Sequence, residues 1–180
     1  GLNGAEQVAT YAENINVENV DFNESYAAKI YFENLYPGLN RKTESPLNSR
    51  LNYGYAIVRS AIARSIIATG FHPTFGIHHN NQLNPFNLAD DLIEPWRPIV
   101  DLCAIHNLGT SVNLTKSERF QLAYVLHSAC ILNNQKISVL AAIDLMAENF
   151  KHCILEDVEE MLYPFLPTIL PLECMELISE

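Results

Sequence analysis

Between residues 49 and 69 the apolar positions recur every three to four residues. Leu51, Tyr55, Val58, Ile62 and Ile66 fall on one stripe, with Arg50, Arg59 and Arg64 off it. That period predicts a long amphipathic helix stopped by Gly70. Upstream, Asn23 is placed to cap a helix over about 24–35, ended by Pro37-Gly38, whereas residues 1–21 show only the weak Val8, Tyr11, Ile15 spacing of a frayed first helix. The polar stretch 39–48 reads as an exposed loop. Asn84-Pro85 is an N-cap followed by proline at the first helical position, opening a helix that extends through Trp96 and Ile99 to about His106 and closes at Gly109. Thr115-Lys116-Ser117-Glu118 is a capping box for a helix reaching about Ile131. Further helices are expected over about 137–153 and 157–163, before Pro164, Pro167 and Pro171 end regular structure. The predicted fold class is all-α.

Composition agrees with a globular chain. Of 180 residues 48% are hydrophobic, and seven glycines are few for a β-rich fold full of tight turns. The longest uncharged apolar runs fall far short of a bilayer span, and neither a signal peptide nor a lipidation motif is visible. The expected organisation is one α-helical domain over 1–180, with core motifs in 22–101, a helical C-terminal part in 102–163 and a proline-rich acidic tail in 164–180. Gly1 in first place, with no initiator methionine, points to a piece of a longer chain. Cys103, Cys130, Cys153 and Cys174 are widely spaced among apolar residues with no CxxC pair, as expected of reduced core thiols in a cytoplasmic protein.

The net charge of −10 argues against nucleic acid until its distribution is considered. Residues 24–101 carry seven Lys/Arg and seven Asp/Glu, whereas residues 144–180 carry nine acids and the single base Lys151. The acidity belongs to the C-terminal end, where a solvated face or a protein contact is expected. The middle of the chain is balanced.

That middle also holds the densest chemistry. Gly76-Ile77-His78-His79 and Asn84 to Pro98 bring two histidines, Asp90, Asp91, Glu94 and Arg97 into about twenty residues. On a helix Glu94 shares a face with both Asp90 and Asp91. Pro95 and Pro98 cannot donate to the carbonyls of Asp91 and Glu94, so the helix is expected to bend there and aim side chains into a cavity. Carboxylates this close repel unless a cation lies between them, and a carboxylate–imidazole set suits Mg2+ or Mn2+. Singly, each residue has an ordinary explanation: dipole complementation for Asp90, Asp91 and Glu24, a surface imidazole for His79, an exposed ion pair for Arg97 with Glu94. Their joint occurrence favours a site that holds a divalent cation against a phosphate.

Three blocks within about residues 22–101 resemble the catalytic domain of the CRISPR-associated integrase, the nuclease subunit of spacer acquisition, in its type II form. They are Glu24-Ser25-Tyr26-Ala27-Ala28-Lys29-Ile30-Tyr31-Phe32; Pro46-Leu47-Asn48 with Leu51-Asn52-Tyr53-Gly54-Tyr55; and Gly76 to His79 with Asn84 to Pro98, whose Asn-Pro-Phe-Asn-Leu-Ala wording is close to type II members. The resemblance implies a compact multi-helix catalytic domain, here without the family's N-terminal β-rich domain. It implies metal ligands at Glu24, His79 and Glu94, with Asp91 an assisting acid. His79 is preferred to the additional His78 because the family's Gly-x-x-His pattern ends on it. Many members have Tyr-Gly where this chain has Arg59-Ser60, so no tyrosine role is carried to that position.

The same resemblance implies a metal-dependent endonuclease and integrase, in which a spacer 3′-hydroxyl attacks a phosphodiester at the edge of a CRISPR repeat. The implied partners are double-stranded spacer and repeat DNA, a second copy in a homodimer, a small ferredoxin-like acquisition subunit and other type II CRISPR proteins. No membrane is implied, and the location is a prokaryotic cytoplasm. Arg41, Lys42, Arg59, Arg64 and Arg97, with Lys29, are candidates for backbone phosphates. Two rival readings remain at this level. Asp90-Asp91-Leu92-Ile93-Glu94 also resembles the DDxxE pattern of all-α prenyl and terpenoid synthases, which bind diphosphate through magnesium. A catalytically silent DNA or protein docking module is the non-enzymatic alternative.

Overall fold

The computed structural model describes residues 2–13, 20–105 and 109–165, with the side chains of residues 2, 3, 5, 20–22 and 24 outside that description. The chain divides into two compact units, Gly1–Thr43 and Glu44–Glu180. In the first, α1 (Leu2–Glu13) packs against α2 (Val20–Leu35). Gly4 lies against Asn34, where a Cβ would meet the side-chain amide at 2.6 Å, and the rings of Tyr11 and Tyr26 are 5.0 Å apart. The first helix is therefore regular, and α2 starts earlier than the sequence suggested. Asn23 lies inside it and is buried instead of capping it.

The second unit is organised around α3 (Pro46–Ala68). Ser45 caps it, accepting from the Asn48 amide at 3.1 Å, and Pro46 occupies the position where a missing N–H does no harm. At the other end Gly70 adopts φ +96°, and the Gly70 and Phe71 amides donate to Ile67 and Ile66 to close the helix. The predicted stripe is the buried one: Leu51, Val58, Ile62 and Ile66 are all at or below 1% exposure, and Tyr55 is buried beside them. Arg50 departs from expectation. It is 1% exposed, donates through Nε to the Ala104 carbonyl at 2.8 Å, and pairs with Glu118 at 3.0 Å. A charge this buried is tolerable only because both contacts satisfy it.

The helix expected from Asn84 to His106 is three pieces: α4 (Asn87–Leu92), a 3-10 turn over Glu94–Trp96, and α5 (Arg97–Ile105). Phe86 precedes the first without a side-chain cap, so Asn84 is not the N-cap. The break is where the prolines put it. Pro95 has no amide for Asp91, and the Trp96 amide turns to Ile93 at 2.8 Å, one residue short of the α-helical partner. Gly54 lets α5 approach α3, since a Cβ there would lie 2.6 Å from Val100 Cγ1.

α6 (Lys116–Ala123) has the predicted capping box, with Thr115 Oγ1 accepting from Glu118 N and Glu118 Oε2 accepting from Thr115 N. It does not run to Ile131. A 3-10 turn over Tyr124–His127 leads into an antiparallel hairpin, β1 (Ala129–Leu132) with β2 (Gln135–Ser138), pairing Ala129 with Ser138 and Leu132 with Gln135. Asn133 and Asn134 make its two-residue turn at φ 48° and 60°. Ser138 then caps α7 (Val139–Glu156), whose Ala142, Ile143 and Met146 are buried and whose Asp144 accepts from Ser65 Oγ on α3 at 2.8 Å. No helix forms over 157–163, an expectation that fails. Asp157 takes a left-handed φ of 52° and the chain continues irregularly until Phe165 pairs with Ile131. Among the described residues the fold is helical with one small sheet, and no helix there is long and apolar enough to cross a membrane.

Candidate metal centre

His79 and Asp91 are brought together by the loop that joins α3 to α4. Asp91 Oδ1 lies 2.6 Å from His79 Nδ1 and accepts from the His79 amide at 3.0 Å, while Oδ2 accepts from the amides of Ile77 at 2.5 Å and His78 at 3.2 Å. The Asp91 side chain is 8% exposed and that of His79 is 41% exposed. Burial by itself would raise the Asp91 carboxyl; the His79 ring and the amides of His79, Ile77 and His78 more than reverse this and hold it below its ordinary value. With Nδ1 beside a carboxylate, Nε2 is the ring nitrogen left to a ligand, the arrangement that histidine ligands of metals take when a carboxylate sits behind them. His78 is exposed, and its ring stands edge-on to His79 at 5.5 Å.

Polar side chains secure this loop from below. Asn87, 3% exposed, donates to the carbonyls of Thr74 and Asn81, both at 2.9 Å, and accepts from Asn81 N at 3.3 Å and Asn84 Nδ2 at 3.0 Å. Gly76 passes so close that a Cβ there would lie 2.8 Å from Asp91 Oδ2 and nearer still to the His79 carbonyl. Phe75, Ile77 and Leu83 remain 75%, 70% and 92% exposed, so apolar packing contributes little to the loop's order. A cavity of about 290 Å³ borders Asp91, lined mostly by apolar side chains such as Leu92, Met146 and Phe150 but also by Glu159 and Tyr163.

Glu94 sits on the 3-10 turn, half exposed, with Arg97 Nε 2.8 Å from its Oε2. Burial would lower the Arg97 guanidinium; the Glu94 carboxylate and Tyr55 outweigh it and raise it. Among the described residues no group of three or more His, Cys, Asp or Glu is placed to hold a metal ion. Glu24, the third expected ligand, lies on α2 in the first unit, and its side chain is outside the described residues. The second unit alone thus offers one oriented imidazole and one accessible carboxylate, and this donor chemistry fits Mg2+ or Mn2+.

Asp90 does not join Asp91. Arg59 Nε lies 2.7 Å from Asp90 Oδ1, Arg59 also donates to Asp90 Oδ2 and to Asn84 Oδ1, and Asn84 Nδ2 donates to Asp90 at 2.6 Å. The Arg59 guanidinium stacks 4.5 Å over Phe86. Two adjacent acids committed to different partners do not form a joint diphosphate–magnesium motif, which removes the physical basis of the synthase reading. Of the other basic candidates, Arg64 and Lys42 are exposed, Lys29 is 3.8 Å from Glu33, and Arg41 lies 5.8 Å over Phe32. Sequence reasoning assigns Tyr55 only a place on the core stripe and Asn87 only a place in the Asn84–Pro98 block, although the density of asparagine in 80–87 is a sign that side chains supply the loop's hydrogen bonds.

Residues 4–143 match the sequence profile of the family described as CRISPR associated protein Cas1. The chain belongs to the Cas1 family. A Cas1 relative from Neisseria meningitidis serogroup C (strain 8013), a CRISPR-associated endonuclease, is 36% identical over 173 residues, covering 94% of this chain and 56% of its own length. A second Cas1 endonuclease, from Francisella tularensis subsp. novicida (strain U112), is 34% identical over 93 residues, 46% of this chain and 29% of its own length. The chain therefore spans about half the Neisseria relative and less of the Francisella one. Among solved structures, a casposase bound to integration product superposes with a TM-score of 0.67 at 20% identity, over 86% of this chain and 55% of that one, which establishes likeness of fold.

Proposed function

We propose that this chain is the catalytic part of a metal-dependent DNA endonuclease and integrase that inserts spacer DNA into a CRISPR array. The observation that carries the reading is the His79–Asp91 pair, an imidazole whose Nδ1 lies 2.6 Å from a buried carboxylate. Membership of the Cas1 family and the endonuclease relatives support the activity. Glu24, His79 and Glu94 are assigned as ligands of Mg2+ or Mn2+. Asp91 is a positioning residue. It fixes which His79 nitrogen carries the proton and, through three amides, the path of the loop that presents it.

A bound divalent ion would supply Lewis-acid polarisation of the phosphodiester and a lower proton affinity for the attacking hydroxyl. The chain's own residues do the rest. Glu94 and Glu24 supply negative charge that matches a cation, His79 supplies a neutral nitrogen, and exposed Arg64 and Lys42 offer phosphate contacts that carry no sequence information. The partners proposed for the whole protein are spacer and repeat double-stranded DNA, a second copy, a small ferredoxin-like acquisition subunit and type II CRISPR proteins, in a prokaryotic cytoplasm. The test is disintegration of a branched DNA with Mg2+ or Mn2+ by the full-length protein. Activity lost in Glu24→Ala, in His79→Ala and on chelation supports the reading; undiminished activity in either variant would refute it.

A further inference from the structure

The Arg97–Glu94 contact differs from the neighbouring Arg59–Asp90 contact in a way that bears on how the site takes its ion. Asp90 is held by Arg59 and Asn84 together, with Phe86 stacked on the guanidinium. Glu94 has only Arg97 as an ion-pair partner among the described residues, and the two side chains are 43% and 35% exposed. An exposed single pair is weak and exchangeable. The guanidinium, however, does not depend on Glu94 for its place. Its Cζ lies 4.8 Å over the Tyr55 ring, and the Tyr55 hydroxyl is anchored to Asp101, which is fully buried.

Resting on the metal-site assignment above, we propose that Arg97 is a built-in counter-ion of Glu94. It yields the carboxylate to a divalent cation and then, still seated on Tyr55, offers its freed N–H groups to a phosphate oxygen of the substrate. Glu94 thereby has its charge balanced before an ion arrives. The positive charge that had guarded the carboxylate would then be available to a phosphate oxygen of the substrate. Metal and phosphate binding are consequently coupled, each strengthening the other by the same factor.

Isothermal titration with Mn2+, and with a thymidine dinucleotide in the presence and absence of Mn2+, tests this on the full chain. Arg97→Met removes the competitor, and Mn2+ binding should tighten about two- to five-fold, the range an exposed ion pair allows. In the same variant Mn2+ should no longer improve dinucleotide binding. Arg97→Lys, which keeps a cation able to reach the carboxylate, should stay near the wild type in Mn2+ affinity. If the wild type binds Mn2+ and Glu94→Gln loses it, but Arg97→Met binds no more tightly, the counter-ion role is overturned and the metal site stands. If the wild type binds no Mn2+, both are overturned.

Discussion

Asp91 holds His79 twice, through the ring nitrogen Nδ1 at 2.6 Å and through the main-chain amide at 3.0 Å. One carboxylate therefore fixes both the imidazole's direction and the backbone that delivers it. Asp91→Asn keeps the shape but replaces an acceptor oxygen with a donor. Mn2+ affinity measured by calorimetry should fall about 10- to 100-fold, as when the carboxylate behind a ligand histidine is altered. Gly76→Ala should lower it too, by forcing the loop away from Asp91 and the His79 carbonyl without changing any ligand side chain. Unchanged affinity in Asp91→Asn would show that the ring is oriented by something else.

Beyond the buried Arg50, the two remaining arginines of α3 differ in kind. Arg59 is bound to Asp90 and Asn84, and Arg64 is exposed. Arg59→Met should destabilise the fold by about 1–3 kcal/mol, because it leaves Asp90 without its charge partner. Arg64→Ala should be neutral in stability and reduce the slope of log affinity against log salt for duplex DNA by about one if it contacts a phosphate. Denaturant unfolding and a salt series of binding isotherms check the pair.

Helix propensity and packing disagree in sign at Gly54. Alanine is favoured over glycine inside a helix by about 1 kcal/mol. Yet the added methyl would lie 2.6 Å from Val100 Cγ1, between two helices of the core. Overpacking of this kind costs about 1–3 kcal/mol. Gly54→Ala should therefore be less stable than the wild type in urea, with an unchanged m-value.

Glu118 gives the fold a definite response to acid. Hydrogen bonds from the Thr115 amide and hydroxyl, assisted by Arg50, hold its carboxyl below the ordinary glutamate value. A lowered folded-state pKa means stability that is complete above the unfolded value of about 4.3 and is lost as pH falls through the folded one. Glu118→Gln should thus melt lower than the wild type at pH 7, and the gap should close below about pH 4. Melting curves across pH 3–8 measure it; a gap that widens on acidification would contradict the assignment.

Much of this was legible in the chain. The stripe from Leu51 to Ile66, the Thr115 capping box and the bend at Pro95 follow from rules that act within a few residues, and each is observed. The hairpin is not legible in the sequence because Ala129–Leu132 is too short to show a period, although Asn133-Asn134 carries the turn signal. The burial of Arg50 is not legible locally, because its partners Ala104 and Glu118 lie 54 and 68 residues away. At the site, adjacency misled. Asp90 and Asp91 are neighbours in sequence, but Arg59 engages one and His79 the other. The candidate ligands themselves came from a resemblance to a family, not from any local rule.

The part played by Asn87 makes its amide, and not merely its size, a requirement of the His79 loop. Its amide nitrogen feeds two carbonyl oxygens while its oxygen receives an amide. Hydrolysis of that side chain to aspartate would change its outline by almost nothing, yet it would set an anion against the oxygens of Thr74 and Asn81. The His79 loop would then be pushed off its foundation by a lesion nearly invisible in shape, while the core built on α3 remained intact.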